Sequence, residues 1–125
     1  MKLRIKGDSI RLRLSQAEVK RIATGKSVKE VTTFPGGESL VYVFEPSPRS
    51  SSLGATFFDR QLVISLPLAD AIAWATGSNI AIQTSLGSLA ILIEKDFVCL
   101  KPREFQTEDE SDLFPNPNVA HGHCT

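Results

Sequence analysis

The sequence has only two cysteines, two histidines, one methionine, one tryptophan and one tyrosine in 125 residues. Two thiols, Cys99 and Cys124, are too few for a disulfide scaffold, and the default reading in a reducing cytosol is two free thiols. No apolar run approaches the ~20 residues that span a bilayer. Met1-Lys2-Leu3-Arg4-Ile5-Lys6 alternates charge where a signal peptide would turn apolar. A cytoplasmic protein with no membrane partner is expected. Gly-x-Ser-x-Gly, a Walker phosphate loop and a dinucleotide fingerprint are all missing, and Gly36-Gly37 lies between strand patterns, not ahead of a helix. Both histidines, His121 and His123, fall at the C-terminal end. An enzyme needs a nucleophile, a base and an oxyanion or metal device, so binding is expected over catalysis.

What is present is one pattern written twice. Ile10-Arg11-Leu12-Arg13-Leu14 aligns with Leu62-Val63-Ile64-Ser65-Leu66, and Ile22-Ala23-Thr24-Gly25 with Trp74-Ala75-Thr76-Gly77. Val41 to Glu45 answers Ile91 to Glu94 at a slightly shorter offset, as a trimmed turn would give. The first copy spans about 1–46, the second about 53–95, and residues 96–125 form a C-terminal segment within the same single domain. Pro46 to Ser52 is a polar, proline-broken connection too short to separate domains.

Leu3, Ile5, Ile10, Leu12 and Leu14 alternate with Lys2, Arg4, Lys6, Arg11 and Arg13 around the turn residues Gly7-Asp8-Ser9, which predicts a β-hairpin over 2–14. Strand geometry puts the five cations on one face. Ser15-Gln16-Ala17-Glu18 matches a capping box and starts a helix that Gly25 ends. In the second copy Pro67, Asp70 and Gly77 take those positions. Hairpins follow each helix around Phe34-Pro35-Gly36-Gly37 and Ser85-Leu86-Gly87-Ser88. Leu89 to Ile93 is apolar throughout, so its strand belongs at the centre of a sheet. The expected fold class is α+β: tandem ββαββ repeats, eight antiparallel strands as one strongly curved sheet or open barrel, two short helices and an acidic C-terminal extension. A two-sheet sandwich is the fallback.

The net charge of zero hides an asymmetry: ten Lys/Arg against five Asp/Glu in residues 1–50, but three against seven in residues 94–125. The C-terminal segment is therefore expected to fold back onto the basic hairpin face. No aromatic interleaves the five cations, so nucleic acid is disfavoured. The expected partner is a protein or a small anionic ligand, and a homodimer is an allowed form. Cys99, His121, His123 and Cys124 could supply tetrahedral zinc, although no Cys-x-x-Cys knuckle is present and His123 and Cys124 are adjacent. No cofactor is otherwise expected; an exposed end with incidental histidines, or a Cys99–Cys124 pair, are the other readings of those residues. Glu108-Asp109-Glu110-Ser111-Asp112 lacks the spacing of an EF-hand loop and is read as solvated acid or as the partner of the basic face.

Glu94-Lys95-Asp96-Phe97, Cys99-Leu100, Pro102-Arg103, the acidic run, Phe114 to Pro117 and His123-Cys124 together form a distinctive series. With the opening Lys2-Leu3-Arg4-Ile5 and Leu12-Arg13-Leu14, it resembles a family of small uncharacterised bacterial proteins, a domain of unknown function. The resemblance runs end to end and carries no activity with it. A cation-lined eight-stranded barrel would also be similar to the triphosphate tunnel enzymes. Their alternating-glutamate strand is absent, because Lys2-Leu3-Arg4-Ile5-Lys6 has bases where acids belong.

Overall fold

The computed structural model describes residues 1–97. The acidic run and all four metal-ligand candidates lie outside the described residues. In chain order the elements are β1 (Lys2–Lys6), β2 (Ser9–Leu14), α1 (Gln16–Ala23), β3 (Val28–Thr33), β4 (Ser39–Ser47), β5 (Gly54–Phe58), β6 (Gln61–Pro67), α2 (Leu68–Thr76), β7 (Ala81–Leu86) and β8 (Leu89–Lys95).

The eight strands form two four-stranded sheets, ordered β1-β2-β8-β7 and β3-β4-β6-β5. This α+β arrangement corrects the expectation of a single curved antiparallel sheet or an open barrel. Sequence-adjacent strands do pair antiparallel, as their short turns require. The central pairs, β2 with β8 and β4 with β6, are parallel. Turn residues specify only the pairing of chain neighbours. The central pairs join strands far apart in the chain, and those are brought together by the apolar faces they must cover. Each helix carries the chain from one sheet to the other. Residues 2–14 and 81–95 thus build one sheet, and residues 28–47 and 54–67 the other. Exchanging β1 to β4 for β5 to β8 converts one strand order into the other.

One core is shared by both sheets and both helices. Leu12, Leu14, Ile91 and Ile93 come from the first sheet, Val28, Phe44, Leu62, Ile64 and Leu66 from the second, and Ile22, Ala71 and Trp74 from the helices. The Trp74 ring meets Phe44 edge-on, with centroids 6.1 Å apart. β8 is an interior strand, as its unbroken apolar run predicts. Ile5 departs from the expected core face and is exposed, because β1 is an edge strand and Ile5 lies near its open end.

Local chemistry explains both helices. Ser15 and Glu18 form the predicted reciprocal capping box. At the other end, Gly25 has φ +82° and donates to the Ile22 carbonyl while Lys26 donates to that of Arg21, a Schellman closure. Gly77 works differently. Its backbone is extended, and a Cβ there would lie 2.7 Å from the Ala73 carbonyl oxygen, so glycine is required by close approach and not by handedness. α2 has no basic residue in its last turn; Lys95 of β8 supplies one, donating from Nζ to the Gly77 carbonyl at 3.0 Å.

β4 continues through Pro46 to Ser47, into the stretch expected to be a proline-broken connection. β3 stops opposite Phe44, so beyond that point β4 pairs only with β6 and a missing proline N–H leaves no neighbour on the β3 side unsatisfied.

Candidate functional site

The outer face of the first sheet carries all five predicted cations. Three rows run across it in register: Lys2, Arg13, Glu94 and Ala81; then Arg4, Arg11, Leu92 and Gln83; then Lys6, Ser9, Ala90 and Ser85. The periodicity of two in β1 and β2 places the cations on this side, opposite the core residues Ile10, Leu12 and Leu14.

Glu94 is the buried acid of this face, 8% exposed. Its Oε1 accepts from Arg11 Nε at 2.5 Å and from Arg13 Nε at 2.7 Å. Two guanidinium groups thus converge on one carboxylate oxygen, with charge-assisted hydrogen bonds that offset the cost of burying the charge. Lys2 Nζ lies 3.0 Å from Asp96 Oδ2, and the Asp96 amide donates to the Leu14 carbonyl at 2.8 Å. Arg4, like Arg11 and Arg13, is not a free cation. Lys6 stands exposed at the far end of β1. Five cations against Glu94 and Asp96 leave the face positive.

A second charged cluster ties the chain start to both sheets. The Met1 ammonium is bonded to the Glu18 carboxylate and lies 3.0 Å from Glu30 Oε1, while Tyr42 donates its hydroxyl to the Met1 carbonyl at 3.2 Å. Burial acts to lower the ammonium pKa, but bonding to Glu18 and Glu30 outweighs it and raises the group above its ordinary 8.0. Burial likewise acts to raise Glu18, and the ammonium and the Ser15 amide and hydroxyl outweigh it, leaving Glu18 below its ordinary 4.5. Tyr42 is raised by burial and by the nearby charges of Glu30 and Glu18.

The anion-binding candidates Lys2, Arg4, Lys6, Arg11 and Arg13 are therefore brought onto one surface. The metal candidates Cys99, His121, His123 and Cys124 lie outside the described residues, and among the described residues no group of three or more His, Cys, Asp or Glu could hold a metal ion. The sequence counts Glu94 and Asp96 among the acids expected to meet this face, but it does not single out the contact of Glu94 with Arg11 and Arg13. The signal was available: Ala90, Leu92 and Glu94 alternate with Ile91 and Ile93, so Glu94 occupies the outward side of a central strand. Among the described residues no helix is long and apolar enough to cross a membrane.

Fold and face together define a two-sheet α+β domain with a cationic sheet surface clamped around a glutamate. A family of unknown function, DUF7009, matches residues 1–118, and the chain belongs to it. No curated protein and no solved structure matches the chain.

Proposed function

We propose that the chain is a non-enzymatic binding module whose ligand surface is the cationic face of β1, β2 and β8, and whose partners are acidic protein segments or small anions. The observation that carries this reading is the Arg11–Glu94–Arg13 clamp: the face already holds one carboxylate by two guanidinium donors and keeps Lys2, Arg4 and Lys6 beside it. Paired guanidiniums fit carboxylate and phosphate oxygens better than ammonium groups do.

By charge alone, the chain's own Glu104, Glu108, Asp109, Glu110 and Asp112 are of the ligand class this face would take. An external acidic partner competes with them. The two halves, about 1–46 and 53–95, are read as copies of one ββαββ unit, a reading supported by the exchangeable strand orders.

Deleting residues 105–125 tests the proposal. The shortened chain is expected to gain retention on a sulfonate cation exchanger that falls as salt rises, because screening weakens surface charge over about 10 Å at 0.1 M. Alanine at both Arg4 and Lys6 should remove most of that gain. Equal retention of full-length and shortened chains would count against the face as the binding surface.

A further inference from the structure

We propose that β5 is a self-pairing edge, through which two copies of this chain join their β5 strands antiparallel about a twofold axis at Thr56. β5 ends its sheet, so among the described residues one side of Gly54–Phe58 has no strand beside it. Exposed edges are ordinarily guarded by charge or proline. β1 is guarded in this way by Lys2, Arg4 and Lys6, and β3 carries Lys29 and Glu30. β7 has no charge, but its outward positions are Ala81, Gln83 and Ser85. β5 has neither charge nor proline, and it ends in Phe57 and Phe58.

Those two residues are 67% and 83% exposed, more than any other large hydrophobic side chain described. Successive strand residues point to opposite faces, so nothing lying on one face of the sheet can cover both. A strand added at the edge can. Pairing about Thr56 sets Phe57 of each copy opposite Ala55 of the other, and Phe58 opposite Gly54. Each large ring therefore meets a small residue, and an aromatic faces a glycine where the strand has no side chain of its own. Charge favours the same choice. Self-pairing of β1 about Arg4 would set Arg4 against Arg4 and Lys2 against Lys6, whereas β5 brings no like charges together.

The area limits the affinity. A fully buried phenylalanine removes roughly 150–250 Å², so two partly covered rings and one strand edge per copy fall short of the ~800 Å² per partner of a standard interface. The dimer is therefore weak and concentration-dependent. It buries the β5 edge and leaves the cationic face of the other sheet open, so it is independent of the binding reading above.

Sedimentation equilibrium on the full chain, from about 1 µM to about 1 mM, covers the range in which so small an interface dissociates. The expected mass rises from 13.6 kDa toward twice that value. Phe58→Lys, at an exposed site, should stay at monomer mass with an unchanged circular dichroism spectrum. A second measurement does not depend on that variant. With Cys99 and Cys124 changed to serine, Thr56→Cys should oxidise to a covalent dimer faster than Thr33→Cys on the β3 edge, since paired strand residues sit about 4.5–5.5 Å apart, within disulfide reach. A chain that stays monomeric throughout, a dimer that survives Phe58→Lys, or equal cross-linking at the two edges would overturn the proposal.

Discussion

Arg13 donates from Nε to Glu94 Oε1 at 2.7 Å across the parallel junction of β2 and β8. Those strands lie at opposite ends of the described chain, so the bond fastens the centre of the sheet where no turn can hold it. Glu94→Gln keeps the shape and removes the charge, leaving Arg11 and Arg13 facing each other. A loss of about 2–3 kcal/mol is expected, somewhat under the cost of breaking a fully buried pair. Urea unfolding should show a lower midpoint at unchanged slope.

The Met1–Glu18 contact predicts a stability difference with two pH limits. Glu18 is held below 4.5, so its contribution is present above that value and is lost as pH falls through its folded value. The ammonium is held above 8.0, so its contribution is present below that value and is lost as pH rises through its folded value. Glu18→Gln removes the charge while glutamine still serves the capping box. The gap between wild type and variant should be widest between pH 4.5 and 8.0 and narrow on both sides. Denaturation midpoints across pH 3 to 10 would check it, and a flat gap would contradict the contact.

Asp59 and Arg60 turn the chain between β5 and β6 with φ of 51° and 63°. Two left-handed residues in a two-residue loop are the geometry that Asn-Gly adopts most readily. Replacing the pair by Asn-Gly should stabilise the protein by about 1 kcal/mol, since a non-glycine residue is disfavoured there by roughly that much. Thermal unfolding would show the transition moving up by several degrees.

Elemental composition tests the zinc alternative. Elemental analysis of untagged protein should show no stoichiometric transition metal, and Cys124→Ala should leave stability unchanged. One zinc per chain that disappears with Cys124→Ala would instead assign the C-terminal cysteines and histidines a metal role.

The cationic face was legible because it depends only on alternation within one hairpin. Lys2, Arg4 and Lys6 must share a side, Arg11 and Arg13 must join them once the turn is placed, and Ile10, Leu12 and Leu14 must then face inward. The capping box at Ser15 and Glu18 and the glycine stop at Gly25 are local in the same sense. Sheet partnership was not legible. Nothing within Leu12 or Ile93 announces that they will lie side by side, since the preference arises only when the apolar faces of distant segments are covered together. For the same reason Glu94 was read with its chain neighbours and not with Arg11 and Arg13. Pro46 is a different case: it reads as the start of a polar connection, yet β4 carries on through it, because at that point β4 has already lost its β3 neighbour.

Because every sheet is assembled from the hairpins of both halves, neither half owns a complete layer. A chain cut at Arg49 would yield two fragments, each holding one hairpin of each sheet and neither of the central β2–β8 and β4–β6 pairings. Such fragments have little reason to persist apart and every reason to reassemble when mixed, which makes the loop after β4 a natural place to divide this protein into complementing parts.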